Sequence, residues 1–163
     1  MKIGVPRETA AGERRIALVP ESAKKLVEQG NEVVIEKARS ASVDFPDTAY
    51  VAAGARIAAD AGEVLAGSDL VLKIQPPSEA EIASLRTGAV LVAILQPFQN
   101  GDTVRRLAEK SVTSFSLDLL PRITRAQAMD VLSSMSTIAG YKGVLIAAAA
   151  LPKMVPLLMT AAG

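Results

Sequence analysis

The residues of this chain best suited to ligand chemistry lie between Pro121 and Tyr141. The polar side chains of this stretch are Arg122, Arg125, Gln127, Asp130, Ser133 and Ser134. Guanidinium, amide, carboxylate and hydroxyl groups can together bind the donors and acceptors of one polar ligand. A loop of this composition between a strand and a helix is a frequent binding site in α/β proteins. We therefore expect Arg122, Gln127 and Asp130 to contact a ligand.

A purely structural interpretation of the same stretch is the start of a helix. Thr124 would be the N-cap, and Gln127, three residues later, would complete a capping box. A helix that has begun by Gln127 would also place Gln127 and Asp130 on one face. The two interpretations are compatible, because a capped helix can still present Arg122, Gln127 and Asp130 to a ligand.

The composition excludes several classes of function. The 163 residues include neither Cys nor His. The chain therefore has no disulfide, no thiol nucleophile, no Ser-His-Asp triad and no histidine base or zinc ligand. We predict no metal site. With 18 basic and 17 acidic residues the net charge is +1, which gives no reason to expect nucleic acid as a partner.

Predicted strands and helices alternate along the chain and must position these residues. The predicted strands are 2–5, 32–36, 56–58, 69–74, 89–95 and 112–117, and the predicted helices are 20–30, 47–53, 60–66, 78–85 and 102–110. Such alternation predicts an α/β fold, a doubly wound, mainly parallel sheet with helices on both faces. Ligands of open parallel sheets bind beyond the carboxyl ends of the strands. The loops 7–15, 75–77 and 96–100 are therefore further candidates.

Five blocks of the chain, in order, resemble one protein family. They are M-K-I-G-V-P-R-E-T, E-R-R-I-A-L-V-P, S-D-L-V-L-K-I-Q-P-P, L-Q-P-F-Q-N and P-R-I-T-R-A-Q-A-M-D-V-L-S-S-M-S-T-I-A-G-Y. The chain resembles the NAD-binding component of proton-translocating nicotinamide nucleotide transhydrogenase, whose fold is shared with alanine dehydrogenase. The most specific feature is the R-x4-Q-x2-D spacing of Arg122, Gln127 and Asp130.

The resemblance implies an enzyme component that supports direct hydride transfer between NADH and NADP+. Arg122, Gln127, Asp130 and Ser133 would surround the nicotinamide and ribose of NAD(H), with Tyr141 nearby, and the first three would act in catalysis. NADP(H) would bind a partner domain. The resemblance further implies a homodimer that assembles with a membrane-embedded proton-translocating subunit. The chain would then be cytoplasmic, at the cytoplasmic face of the membrane.

Two positions separate the chain from alanine dehydrogenase. By resemblance, that enzyme has a lysine in the place of Gln75 and a histidine in the place of Gln96. An amide does not titrate near neutral pH, so both glutamines argue against amino-acid oxidation. Arg15, the carboxylate-binding position of the dehydrogenases, is present, and an exposed loop arginine is the alternative. Lys73 is a further candidate within an apolar strand, unless it is a strand-end residue that reaches solvent.

The sequence contains no G-x-G-x-x-G, the dinucleotide-binding motif of Rossmann domains. We therefore predict a Rossmann-like fold without that loop. Residues 1–135 would form an N-terminal alanine dehydrogenase/transhydrogenase-like domain, and residues 136–163 a crossover helix and the start of a linker to an NAD-binding domain. By itself the chain is expected to be inactive. A non-catalytic folding or dimerisation fragment is the alternative.

The apolar segment 143–163 approaches the length of a membrane span. Lys153 in its middle and the helix-breaking Pro152 and Pro156 oppose that interpretation. We predict instead a buried helix through about Leu151, followed by an irregular exit.

Overall fold

The computed structural model of the protein describes residues 1–37 and 45–153. The chain folds as two compact units, Met1–Leu119 and Leu120–Gly163. The predicted domains, 1–135 and 136–163, remain a prediction. The predicted irregular exit and linker lie outside the described residues beyond Lys153.

The first unit is built on a six-stranded parallel sheet. Its strands are β1 (Lys2–Val5), β2 (Glu32–Glu36), β3 (Arg56–Ala58), β4 (Leu70–Leu72), β5 (Val90–Ala93) and β6 (Thr113–Ser116). The spatial order is β3-β2-β1-β4-β5-β6, so the direction of progress reverses between β1 and β4. This reversal is the topological switch point, where open α/β sheets bind their ligands. The predicted doubly wound, Rossmann-like sheet is confirmed.

In the described part of the first unit, five helices lie between the strands. They are α1 (Pro20–Glu28), α2 (Asp47–Ala52), α3 (Ala61–Gly67), α4 (Glu79–Ser84) and α5 (Gly101–Glu109). Side-chain caps define two of their starts, because they satisfy backbone donors that the helix itself cannot. Asp60 accepts a hydrogen bond from the N–H of Glu63 at the start of α3. Ser78 and Glu81 form a reciprocal capping box at the start of α4, as their spacing predicted.

Alternation of side chains along β2 shows that both faces of the sheet are covered. Val33 and Ile35 pack into a cluster that contains Tyr50, whereas Val34, between them, packs with Val64 of α3. A third aliphatic cluster surrounds β5. A sheet buried on both sides explains the continuous apolar runs of its strands.

The neighbouring strands β4 and β5 end earlier than their apolar sequences predict. Past these ends, side-chain carboxylates accept hydrogen bonds from the backbone. The N–H of Ile74 donates to Glu8 at 2.6 Å, and the N–H of Leu95 donates to Asp118 at 3.0 Å. Both carboxylates come from other strand ends, so they join neighbouring loops at the carboxyl edge of the sheet.

Gly4, in the centre of β1, allows α3 to pack directly on the sheet. A Cβ atom at Gly4 would lie 2.2 Å from Ser68 Oγ and 2.8 Å from Val64 Cγ1. Ser68 is fully buried, and its hydroxyl donates to the Val64 carbonyl at 2.6 Å. Neither neighbour can move aside without breaking core contacts.

We expect Gly4→Ala to lower the free energy of unfolding by about 1–3 kcal/mol, because it overpacks this contact. Gly101→Ala is the matched control, since apart from its chain neighbours and the backbone of its own helix no heavy atom of the described residues lies within 4 Å of its Cβ position. Urea denaturation of both variants measures the difference. Equal stability of the two variants would contradict the close packing of β1 on α3.

The second unit contains a 3₁₀ helix (Thr124–Met129) and a long helix, α6 (Val131–Ala150). The end of α6 agrees with the predicted helix through about Leu151, but the predicted burial is wrong, because α6 has no buried residue. Burial requires surrounding elements, and in the described part of this unit the short 3₁₀ helix is the only other helix. By length and composition α6 is apolar enough to cross a membrane. One such helix is weak evidence for a membrane span, because core helices of soluble proteins can have the same length and apolar composition.

Candidate functional site

A hollow of about 540 Å³ lies in the second unit, beside the first turns of α6. It is lined by Pro121, Arg122, Ile123, Thr124, Ala126, Gln127, Asp130, Ser133, Ser134 and Thr137. The structure therefore brings together four of the predicted site residues, Arg122, Gln127, Asp130 and Ser133. Arg125, from the same stretch, is not part of the lining. The roles of the four residues remain predictions.

Short-range hydrogen bonds shape the wall of the hollow. The N–H of Ile123 donates to the Pro121 carbonyl at 2.9 Å, and the N–H of Ala126 donates to the Ile123 carbonyl at 2.9 Å. The first bond closes a three-residue turn before the helix, and the second is an i→i+3 bond of the 3₁₀ type. Ala126 is buried, whereas Arg122 and Gln127 are exposed. The small apolar side chain thus anchors a segment whose polar side chains line the hollow.

Asp130 is the N-cap of α6 and links the 3₁₀ helix to it. Its carboxylate accepts hydrogen bonds from the N–H of Ser133 at 2.9 Å and from the Ser133 hydroxyl at 2.6 Å. The predicted capping box at Thr124 is wrong, because Ile123 precedes the 3₁₀ helix and no side chain caps it. A carboxylate is the stronger cap for a long helix, since it also interacts favourably with the helix dipole.

The hydrogen bonds from Ser133 lower the pKa of Asp130 below its usual value, and the nearby charge of Arg122 lowers it further. Asp130 is therefore ionised at neutral pH. The lining of the hollow thus includes the cation of Arg122, which precedes Gln127 in the sequence, and the anion of Asp130, which follows it. Such a site suits a polar ligand with both donors and acceptors.

The first turns of α6 place hydroxyl groups along one face of the helix. The Ser134 hydroxyl donates to the Asp130 carbonyl at 3.1 Å, and the Thr137 hydroxyl donates to the Ser133 carbonyl at 3.0 Å. Each hydroxyl keeps lone pairs that can accept a hydrogen bond. Thr137 was missed as a lining residue, although its i+4 spacing from Ser133 could have indicated it. Tyr141, one turn further, is exposed and does not line the hollow.

A second polar cluster lies in the first unit, at the switch point between β1 and β4. The Glu13 carboxylate lies 2.6 Å from the Arg15 guanidinium, and it accepts a hydrogen bond from the Gln75 amide at 2.8 Å. Arg15 is exposed on its loop, but Glu13 fixes its guanidinium. The hydrogen bond from Arg15, opposed by partial burial and helped by Gln75, lowers the pKa of Glu13 to about 2. Glu13 was not identified from the sequence.

Lys73 does not reach solvent, so that alternative is wrong. Its side chain is 1% exposed, and its ammonium lies 2.7 Å from Glu81 and 3.4 Å from Glu8. Glu81 also accepts a hydrogen bond from the N–H of Ser78 at 2.7 Å, within the capping box of α4. Lys73 therefore ties the end of β4 to the loop after β1 and to the start of α4.

Gln96 follows β5 in a left-handed backbone conformation, with φ of 48°. Such a conformation is uncommon for a residue other than glycine and needs support from its surroundings. Asp118 accepts from the N–H of Gln96 at 3.3 Å, and Asn100 donates to the Gln96 carbonyl at 3.3 Å. The backbone of this loop is thus fixed from two sides.

None of the three site glutamines, Glu13 and Asp130 is suited to proton transfer near neutral pH. Gln75, Gln96 and Gln127 do not titrate, and the pKa values of Glu13 and Asp130 lie below their usual range. The described residues contain no group of three or more His, Cys, Asp or Glu that could hold a metal ion. The arrangement can bind and orient a polar ligand through hydrogen bonds.

Comparison with known families identifies the fold. The family model described as "Alanine dehydrogenase/PNT, N-terminal domain" matches residues 4–139. The chain belongs to this family.

Curated relatives in the family include both transhydrogenases and alanine dehydrogenases. The first part of the alpha subunit of NAD(P) transhydrogenase from Rhodospirillum rubrum is 42% identical over 168 residues, covering 100% of this chain and 44% of the relative. Alanine dehydrogenase from Halomonas elongata is 32% identical over 154 residues, covering 94% of this chain and 41% of the relative. The chain thus spans less than half the length of these relatives.

Solved structures in the family agree with the fold. A transhydrogenase from Sinorhizobium meliloti matches with a TM-score of 0.89 and 40% identity, covering 100% of this chain and 48% of that one. An L-alanine dehydrogenase matches with a TM-score of 0.80 and 30% identity, covering 90% and 40% of the two chains. The lower identity and TM-score of the dehydrogenase make the transhydrogenase the more similar of these two.

The lowered pKa of Glu13 predicts a pH-dependent contribution to stability. The contribution is present above the unfolded-state pKa of about 4.5 and is lost as the pH falls toward about 2. Glu13→Gln should therefore be less stable than the wild type at pH 6 by about 1 kcal/mol, since the exposure of Arg15 weakens the pair. The difference should shrink between pH 4.5 and pH 2.

Denaturant titrations across this pH range measure the difference in the free energy of unfolding. Glu109→Gln, which removes an exposed carboxylate from α5, is the matched control. A difference between wild type and Glu13→Gln that stays constant down to pH 2 would contradict the pairing of Glu13 with Arg15.

Proposed function

We propose that this chain is part of the NAD(H)-side component of NAD(P) transhydrogenase, an oxidoreductase, and supports direct hydride transfer between NADH and NADP+. The main observation behind this proposal is that one hollow is lined by Arg122, Gln127, Asp130 and Ser133. The greater similarity to transhydrogenase, over the full chain, supports the same proposal.

The donor and acceptor set of the hollow fits the nicotinamide end of NAD(H). A carboxamide has an N–H₂ donor and a carbonyl acceptor, and the ribose has hydroxyl groups. Asp130 keeps lone pairs beyond those used by Ser133, so it can accept from an N–H₂ group or a hydroxyl. Arg122 can donate to a carbonyl or a ribose oxygen, and Gln127 can do both. Tyr141 is proposed to lie beside the cofactor from the next turn of α6.

The reduced nicotinamide ring of NADH would supply the hydride when bound, and residues of this chain would hold and orient that ring. Hydride transfer from one nicotinamide to another needs no proton abstraction from a substrate. It needs close, fixed contact between two rings, which hydrogen bonds from Arg122 and Gln127 can provide. The ionised Asp130 also provides a fixed negative charge that favours the cationic, oxidised form of the ring.

The names of the relatives describe subunits of a larger enzyme and support an assembly of several parts. We propose a homodimer on the cytoplasmic face of the membrane, with NAD(H) bound on this side and NADP(H) on a partner domain. A membrane-embedded subunit would couple hydride transfer to proton translocation. The chain alone would be inactive.

Amino-acid oxidation is the disfavoured alternative. Gln75 and Gln96 cannot replace the lysine and histidine of alanine dehydrogenase as acid or base. The ammonium of Lys73, near this edge, is held by two buried carboxylates. A non-catalytic folding or dimerisation module is the second alternative, and it requires no particular side chain in the hollow.

The two arginines of the site segment provide a matched test. We expect Arg122→Lys to lower the single-turnover rate of hydride transfer by about 10-fold or more, because lysine keeps the charge but loses the planar fork. Arg125→Lys should stay within about two-fold of wild type, since Arg125 does not line the hollow. Both variants are measured in the complete enzyme with its NADP(H)-binding partner. Equal rates for the two variants would favour a non-catalytic role for the hollow.

Gln127→Asn tests the orienting role directly. The change keeps the amide but withdraws it by about one methylene, so we expect hydride transfer to fall about 10-fold or more. The melting temperature should hardly change, because Gln127 is exposed and caps no helix. Stopped-flow single-turnover measurements and thermal denaturation separate the two effects. Transfer at wild-type speed would remove Gln127 from the proposed site.

A further inference from the structure

The hydroxyl groups on the α6 side of the hollow already use their protons within the helix. Ser133 donates its hydroxyl proton to the Asp130 carboxylate at 2.6 Å. Ser134 and Thr137 donate theirs to backbone carbonyls one turn earlier, at 3.1 Å and 3.0 Å. A hydroxyl has one proton and two lone pairs. Each of these three side chains can therefore only accept a hydrogen bond from a ligand in the hollow.

These hydroxyl groups share one helix face with the carboxylate that caps α6. The i, i+3, i+4, i+7 spacing typical of one face is followed by Asp130, Ser133, Ser134 and Thr137. All four side chains line the hollow. Asp130 is ionised, because the hydrogen bonds from Ser133 lower its pKa, so it also offers lone pairs and no proton. We call these four residues the acceptor wall.

The side chains of the lining that carry N–H donors precede α6. The Arg122 guanidinium has five N–H donors and no acceptor, and the Gln127 amide has both. Donors and acceptors are thus separated between two segments of the lining. The positive end of the α6 dipole would favour an anion, but the Asp130 carboxylate already occupies it. A phosphate group would meet that negative charge and find no side-chain proton on the acceptor wall.

We propose that the acceptor wall binds the hydroxyl groups of the ribose that carries the nicotinamide, with Thr137 as a further contact residue. The proposal rests on the proposed function and deepens it by naming the part of NAD(H) that lies along α6. The two ribose hydroxyls are donors on adjacent carbon atoms, whereas phosphate oxygens and the carboxamide carbonyl only accept. A pair of donors matches a row of acceptors, in which Ser133 and Thr137 are one helical turn apart.

The first arm of the test measures NADH affinity in the complete enzyme by isothermal titration calorimetry. Thr137→Val removes the hydroxyl and keeps the branched shape, so the Kd should rise about three- to ten-fold, as expected for one hydrogen bond between neutral groups. Thr137→Ser should recover most of the affinity. The valine variant should fold, because the position is exposed and the two residues have similar helix propensities.

Ser136→Ala is the matched control, since Ser136 is exposed on the same helix and does not line the hollow. Its Kd for NADH should stay within about two-fold of the wild type, because a surface change away from the ligand has little effect. Equal Kd values for Thr137→Val and Ser136→Ala would overturn the contact of Thr137 with the cofactor.

The second arm uses NADH analogues to identify the group that Thr137 contacts. Two analogues lack the 2′- or the 3′-hydroxyl of the nicotinamide ribose. Thr137→Val should lose little affinity for one of them, because the partner of the hydrogen bond is already absent, and should keep its loss for the other. An equal loss for NADH and for both analogues would overturn the assignment to the ribose.

The carboxamide N–H₂ is the other donor at this end of the cofactor, and a third analogue tests it. In the 3-acetylpyridine analogue an acetyl group replaces the carboxamide, so the N–H₂ donor is absent. Thr137→Val should show its full loss of affinity with this analogue. A loss that disappears would place the carboxamide on the acceptor wall and overturn the proposal.

Affinity and turnover together separate this proposal from the proposed function. A wild-type complete enzyme that binds NADH but transfers no hydride would refute the proposed function, while the affinities would still decide whether Thr137 contacts the ribose. An active wild type whose Thr137→Val variant binds NADH equally tightly would refute the contact and leave the proposed function standing.

Discussion

The buried ammonium of Lys73 is the interaction on which the carboxyl edge of the sheet depends. A charge in the interior is tolerated only when it is paired, and the carboxylates that pair it come from different elements. Glu8 belongs to the loop after β1, and Glu81 to the start of α4. All three elements must therefore meet at one point. Each carboxylate thus adds an ion pair that links β4 to a further element, alongside the apolar packing of the strands.

Each of the two polar regions contains an ionised carboxylate, but the two carboxylates have different structural roles. Glu13 and Asp130 both have lowered pKa values, because hydrogen-bond donors surround them. Glu13 forms an ion pair with Arg15 and accepts a hydrogen bond from Gln75. Asp130 caps α6 and keeps free lone pairs that can accept a hydrogen bond from a ligand in the hollow. Neither of these two groups exchanges protons near neutral pH. This agrees with the proposed hydride transfer, which needs no acid or base from the protein.

Helix capping shows why the same sequence reasoning succeeds at one place and fails at another. Ser78 and Glu81 form the predicted capping box, because an α-helix follows them directly. The Thr124 and Gln127 spacing is similar, but the chain there is a 3₁₀ helix without a side-chain cap. Its tighter turn does not offer the N3 donor that a capping box needs. Asp130 caps the longer helix that follows, and this places its carboxylate in the hollow.

The sequence by itself determined the order and type of the strands and α-helices of the first unit, because hydrophobic periodicity, glycines and caps act over a few residues. It also indicated the site segment, since Arg122, Gln127 and Asp130 lie close together along the chain. Only the tertiary structure decided which backbone donors Glu8 holds, how Glu13 meets Gln75, and that Lys73 is buried. The contacts of Glu8 with Ile74 and of Glu13 with Gln75 join residues more than 60 positions apart. They form only because β1 and β4 are neighbours in the sheet. Local patterns carry no information about such pairings, because strand order is set by packing of the whole unit.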